Sequence, residues 1–217
     1  TKHGIIKKTS LNEFGNVRRT GIIAIKLSSG GGSASGGKKD DLLKWVKLSS
    51  GKDEVILTTA RGQAIRFKES QLRPLGRTAG GVTAIRLKKG DEMSSMDIVV
   101  SKAQSAPQSS AAGQADGKSP RLLVIMANGY GKQTALKEYK VQRRGGVGIL
   151  TAKITAKTGA LVAAHLVTDE EELIALSAKG QVIRAPLSEV RTANRATQGV
   201  RIMSLHEGDK VAGVVCL

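Results

Sequence analysis

Short apolar runs, each closed by a glycine or an aspartate turn, recur along the chain at a spacing too tight for long helices. Val55-Ile-Leu-Thr-Thr59, Leu122-Leu-Val-Ile-Met126 and Leu173-Ile-Ala-Leu176 each lead into a glycine: Gly62, Gly129 and Gly180. A second run follows that glycine, as in Ala64-Ile-Arg-Phe67 and Val182-Ile-Arg-Ala185. Paired β-branched runs around a glycine predict hairpins. Further on, an alternating segment such as Ile85-Arg-Leu87 predicts another strand, followed by Asp turns at Gly90-Asp-Glu92 and Gly208-Asp209. A last apolar strand closes each unit, exemplified by Val211–Leu217. The pattern predicts an all-β protein with about four strands per unit.

The units are copies of one another. Counted from the turn glycines Gly4, Gly62, Gly129 and Gly180, an apolar residue falls at +10 every time: Phe14, Leu72, Tyr139 and Val190. An arginine falls at +15 every time: Arg19, Arg77, Arg144 and Arg195. A glycine falls at +19 in three copies, Gly81, Gly148 and Gly199, and two residues earlier in the first copy, at Gly21. Such spacing marks a repeat protein, here a β-pinwheel or propeller-like array of about four four-stranded blades. We expect a partial first blade over 1–48, a second over 49–100, a third over 121–168 and a fourth over 169–217.

Low-complexity insertions account for the unequal periods of 58, 67 and 51 residues. Residues 28–39 are Gly/Ser-rich and 101–120 are rich in Ser, Ala, Gln and Gly, so both are expected to be disordered linkers. Gly32–Lys39 nearly spells a phosphate-binding loop, but Lys39 stands where the magnesium-binding Ser or Thr is required and no helix is predicted to follow. The first unit has no apolar strand ahead of Gly4, and the chain opens on Thr1 rather than Met. Upstream sequence that completes the first blade is therefore expected.

Composition narrows the chemistry. Aromatics make up 2% of the chain, so the core must be aliphatic. The 35 Lys and Arg against 18 Asp and Glu give a net charge of +17, which points to a nucleic-acid partner. No apolar run reaches the length of a membrane span, and no membrane partner is expected. The single Cys216 rules out an internal disulfide and fits a reducing compartment. His3, His165 and His206 lack metal-ligand spacing, and neither a carboxylate dyad nor a Ser/His/Asp set is present, so no metal and no catalysis are expected of this chain.

The richest copy of the repeated element is Tyr139-Lys-Val-Gln-Arg-Arg-Gly-Gly-Val-Gly-Ile149. Arginine forks match phosphate, and glycine admits close backbone approach. The candidate DNA-contacting residues are Arg143, Arg144 and Gln142 of this run, with Arg18, Arg19, Arg77 and Arg195 in the other copies. Flanking lysines Lys7, Lys8, Lys68, Lys132, Lys137 and Lys140 are secondary candidates. Gly145, Gly146 and Gly148 serve either tight turns or a ligand approach, and Tyr139 is read as packing, because Phe14, Leu72 and Val190 replace it elsewhere. Without stacking aromatics, sequence-tolerant contact with a duplex backbone is the favoured mode.

Several of these segments resemble the C-terminal domain of DNA gyrase A. They are Asn128-Gly-Tyr-Gly-Lys-Gln-Thr134, the run from Tyr139 to Gly148, Arg66-Phe-Lys-Glu-Ser70 with Gly76-Arg-Thr-Ala79, and Lys7-Lys-Thr-Ser-Leu11. The resemblance implies a disc of about six blades that wraps duplex DNA on a basic rim and supports ATP-dependent negative supercoiling. It also implies a bacterial cytoplasmic, nucleoid-associated protein, working with the rest of gyrase A and with gyrase B in an A2B2 enzyme. The catalytic tyrosine, ATP and magnesium would then belong to other parts of that enzyme. The family's Gln-Arg-Arg-Gly-Gly-x-Gly box sits in the first blade, whereas Gln142–Gly148 lies in the penultimate repeat. The related domain of topoisomerase IV, and a propeller-like scaffold for an acidic protein, are the alternatives.

Overall fold

A computed structural model of the chain describes residues 1–27, 41–100, 119–168 and 170–217. The described residues form thirteen strands, arranged in sheets of two, four, four and three strands. The second repeat supplies β2 (Glu54–Thr59), β3 (Gln63–Lys68), β4 (Val82–Thr83) and β5 (Met93–Val99). The third supplies β6 (Arg121–Met126), β7 (Tyr130–Ala135), β8 (Ile149–Leu150) and β9 (Leu161–Val167). The fourth supplies β10 (Glu172–Ser177), β11 (Val182–Pro186), β12 (Val200–Arg201) and β13 (Val211–Cys216), whereas the first contributes only β1 (Ile5–Ile6). All pairings between these strands are antiparallel.

No four-stranded sheet is built from one repeat alone. The strands run β5-β2-β3-β8 in one sheet and β9-β6-β7-β12 in the next, so the edge strand comes from the following repeat. In the same way β4 of the second repeat pairs with β1 of the first. Each repeat from the second onward therefore reaches back and completes its predecessor. Two sheets have the expected four strands; the fourth repeat's sheet has three, β11-β10-β13, and the first repeat's has two.

This stacking explains why the central strands are continuously apolar. A strand buried on both faces loses the alternation of a half-exposed one. Leu122, Val124 and Met126 of β6 face a core shared with Ile56 and Leu161, while Leu123 and Ile125 face a second core with Leu173, Leu187 and Met203. Val55 and Leu57 of β2 enter a third core with Phe67 and Ile85. β10 reads differently, because Leu173 and Ala175 are buried but Leu176 is exposed. Its outer face has no neighbouring sheet among the described residues.

The turn glycines Gly4, Gly62, Gly129 and Gly180 all take φ between +78° and +87°. In each, the glycine N–H donates to the carbonyl three residues back, for example Gly62 to Thr59 at 2.9 Å. A left-handed residue there costs any other side chain conformational strain, which is why the repeat is anchored on glycine.

One predicted strand is displaced. Ile85–Leu87 is irregular, and the short strand falls earlier, at Val82–Thr83. The reason lies in where the amides point: Ala84 N–H donates to the Gly4 carbonyl and Arg86 N–H to the Gly146 carbonyl, so the chain bends between two neighbouring repeats. The Gly/Ser insertion and the near phosphate-loop lie at or beside residues 28–40, outside the described residues, as does most of the 101–120 segment. Pro120, at the end of that segment, already belongs to the third sheet, because its carbonyl accepts from Leu136 N–H at 2.9 Å. Where the first repeat has only β1, a cavity of about 460 Å³ opens, lined by Ile5, Leu43, Trp45, Val55, Met93 and Ile98 among others.

Candidate nucleic-acid interface

The Arg/Gly element of each repeat from the second onward is the segment that crosses onto the preceding repeat. The same four ties recur at every junction. The amide at +13 donates to the carbonyl at +4 of the repeat before: Leu75 to Lys8, Gln142 to Arg66 and Ala193 to Gln133. The amide at +22 donates to the preceding turn glycine: Ala84 to Gly4, Thr151 to Gly62 and Ile202 to Gly129. The +20 and +21 residues make the short edge ladder, as Ile149 and Leu150 do with Ala64 and Gln63. Finally, the +19 glycine presses its backbone against a strand carbonyl, so a Cβ on Gly148 would stand 2.5 Å from the Ala64 oxygen.

The +15 arginines form part of this clamp. Arg77, Arg144 and Arg195 each donate through Nη1 to a backbone carbonyl of the preceding repeat, those of Ile23, Thr83 and Leu150, at 2.9 to 3.0 Å. Arg144 is tied most firmly: its Nε donates to the Gln71 carbonyl and its backbone N–H to Gln71 Oε1. Gln71 Nε2 returns a bond to the Gln142 carbonyl. Arg195 has Glu138 in the place of Gln71, with Oε2 accepting from its backbone N–H at 3.2 Å. All three arginines are half-buried. Arg143, by contrast, is exposed and borders a polar cleft with Gln71 and Arg144. Arg18 and Arg19 of the first copy are exposed as well.

The candidate lysines divide by burial. Lys68, Lys137 and Lys140 are exposed. Lys132 is fully buried, with its ammonium donating to the carbonyls of Asn194 (2.6 Å) and Arg195 (2.5 Å) and to Thr197 Oγ1 (3.0 Å). Burial pushes its pKa down to about 8, with Glu138 pulling up and Arg195 pushing further down. It therefore has no surface to offer a phosphate and instead holds the next repeat's arginine loop from below. Lys7 does the same two repeats earlier, donating to the carbonyls of Gly76 and Arg77. Lys8 is half-buried against the Glu69 carboxylate at 3.2 Å. In the second repeat Ile65 takes the position of Lys7 and Lys132 and packs under Gly146.

The box glycines are not alike. Gly145 and Gly148 have φ of +79° and +74°, and Gly148 is also sterically clamped. Gly146 is outside the left-handed region, and a Cβ there would meet nothing closer than 3.7 Å. Tyr139 is buried, its hydroxyl paired with Thr151 Oγ1 at 2.5 Å.

The structure adds a basic row that the Arg/Gly motif does not reveal. At +11 stand Arg73, Lys140 and Arg191, all exposed, immediately before the residues that bridge to the preceding strand. Of these only Lys140 is among the sequence candidates; counting basic residues at every offset from the turn glycine finds the other two. Each junction from the second repeat onward thus presents an exposed cation at +11, supplemented at +14 by Arg18 and Arg143 in the first and third copies. Among the described residues, no three His, Cys, Asp or Glu side chains gather to hold a metal ion, and no helix is long and apolar enough to cross a membrane.

Stacked antiparallel sheets, each completed by a clamp from the next repeat, define a propeller-type repeat protein with a basic element at every junction. A family profile described as "DNA gyrase C-terminal domain, beta-propeller" matches residues 1–33, 53–99, 122–168 and 171–217, one match per repeat. The chain belongs to that family. It is 38% identical over 214 residues to the A subunit of DNA gyrase from Staphylococcus epidermidis and 37% identical to that from Staphylococcus aureus, in each case over 99% of this chain. It spans about a fifth of the length of those relatives, 21%. The fold is shared with a C-terminal domain of DNA topoisomerase IV (TM-score 0.81, 22% identity, 100% of this chain and 59% of the other). It is shared too with a DNA gyrase A C-terminal domain (TM-score 0.73, 22% identity, 99% and 63%).

Proposed function

We propose that this chain is the DNA-binding and DNA-wrapping part of a type IIA topoisomerase, namely of DNA gyrase A, and is itself non-catalytic. The observation that carries the reading is the recurrence of exposed cations at the same place on successive junctions: Arg73, Lys140 and Arg191, joined by Arg143 and Arg18. A row of cations on a stack of rigid sheets offers a duplex backbone one contact after another and favours a bent path, much as repeated phosphate contacts bend DNA elsewhere. Bending costs several kcal/mol that only the sum of contacts offsets. Strand breakage and ATP turnover would reside in other parts of an A2B2 assembly with gyrase B, and the protein would act in the bacterial cytoplasm on the nucleoid.

The test is a topology assay. Relaxed circular plasmid, incubated with the 217-residue chain and then with a nicking-closing enzyme, should emerge with a shifted linking number. Arg143→Ala should weaken binding across all sequences and lower the slope of log K against log salt by about one, while leaving the melting temperature unchanged. Arg144→Ala should lower the melting temperature first, since it loses carbonyl contacts worth about 1 kcal/mol each. Unshifted topology together with salt-insensitive binding would refute the reading and favour a protein scaffold.

A further inference from the structure

The junction between repeats is built three times within the chain, and each of its two halves is also present once without its counterpart. The unpaired acceptor half is on the fourth repeat. There β11 is a sheet edge among the described residues, whereas the equivalent strands β1, β3 and β7 are covered by β4, β8 and β12. Val182, at the position where Ile6, Ala64 and Gly131 accept the edge ladder, is 58% exposed. Arg184 occupies the +4 position. Its counterparts Lys8, Arg66 and Gln133 cap carbonyls of a short turn, those of Arg66 and Gln133 in the next repeat, but Arg184 pairs within its own sheet, with Glu172.

The unpaired donor half is on the first repeat. Gly21 has the φ of a clamped junction glycine, +78°, yet a Cβ built on it meets nothing within 4 Å. At the equivalent Gly81 and Gly148 that atom would strike a strand carbonyl at 2.6 and 2.5 Å. Ile22 and Ile23, the counterparts of the β4, β8 and β12 ladders, are outside any strand, and Ile23 is 63% exposed. The donor's left-handed backbone is thus already set in the undocked state.

We propose that these halves fit each other in trans: the Arg18–Lys26 element of one copy closes onto the β11 edge of a second copy. By the offsets shared by the three internal junctions, Ile22 and Ile23 pair with Val182 and Gln181, Val17 N–H donates to the Arg184 carbonyl, and Ala24 N–H donates to the Gly180 carbonyl. Such a contact is heterologous, so it propagates head to tail unless a ring closes. It also gives an exposed strand edge a specific partner.

Heterologous geometry permits a test with two half-blocked variants. Gly21→Asn keeps a residue that tolerates the left-handed conformation but puts a side chain where the strand carbonyl must come. Val182→Lys places a charge on the acceptor edge. Sedimentation of the wild-type chain over a wide concentration range should show mass rising above the 22.8 kDa monomer. Each variant alone should stay monomeric with a wild-type circular dichroism spectrum. An equimolar mixture of the two should form a dimer and stop there, because each supplies the half the other lacks. A wild-type chain that remains monomeric overturns the proposal, as does a mixture that forms no dimer. A monomer whose melting temperature drops on Gly21→Asn would show instead that the two halves meet within one chain, and that too overturns it.

Discussion

At the scale of single residues, the arginines and lysines that make this chain basic do two different jobs. Lys132 shows the structural one most clearly, because a fully buried cation is tolerated only where oxygen acceptors surround it, as the Asn194 and Arg195 carbonyls and the Thr197 hydroxyl do. Burial lowers its pKa to about 8, while in the unfolded chain it titrates near the ordinary lysine value of about 10.4. Between those values the unfolded chain holds a proton that the folded chain has released, so stability rises as pH climbs through that window. A full two-unit gap corresponds to about 3 kcal/mol. Urea melts of the wild type at pH 8 and pH 10, referenced to Lys132→Ile, should reveal that rise; the isoleucine has a precedent in Ile65 and Ile183 at the same offset. Equal pH dependence in the two proteins would place the lysine pKa at its ordinary value.

At the scale of elements, the clamp depends on backbone approach, and its glycines should therefore differ sharply in tolerance. Gly148→Ala drives a Cβ to 2.5 Å from the Ala64 oxygen in addition to the strain of φ +74°. Gly146→Ala meets only ordinary contact distances. Left-handed strain alone costs about 1–2 kcal/mol, so Gly148→Ala should lose more than that, and Gly146→Ala less than about 1 kcal/mol, in chemical denaturation. If Gly146→Ala nonetheless weakens DNA binding, its missing Cβ serves the ligand and not the fold. The hairpins, the turn glycines and the repeated arginine were legible in the sequence because local chemistry dictates them: φ > 0 requires Gly129, and burial on both faces makes Leu122–Met126 apolar throughout. The exchange of edge strands was not legible. A two-residue strand such as Val82–Thr83 has no period to detect, and its partner, β1, lies a whole repeat away. For the same reason the site was only half readable. Arg143 and Arg144 are indistinguishable in sequence, and only the Thr83 and Gln71 carbonyls show that Arg144 is the tethered one, leaving Arg143 exposed beside it.

At the scale of the whole molecule, a net charge of +17 acts in opposite directions on the two associations proposed for it. Contact with a duplex releases condensed counterions, so DNA affinity falls as salt rises. Contact between copies brings the Arg18 and Arg19 end of one chain towards a second chain that is also strongly basic, and the repulsion weakens as the screening length contracts from about 10 Å at 0.1 M to about 3 Å at 1 M. Burial of Val182, Ile23 and their neighbours is not reduced by salt. Raising the salt concentration should therefore strip DNA from the chain while strengthening its self-association. Bound DNA, which neutralises the basic row, should promote head-to-tail contact at low salt, where free chains repel each other. Sedimentation across a salt series, with and without a short duplex, separates these terms. The free chain should grow in mass with salt, and the complex should lose DNA over the same range. A parallel fall of both with salt would mean that self-association is itself electrostatic and that the β11 edge is not where it occurs.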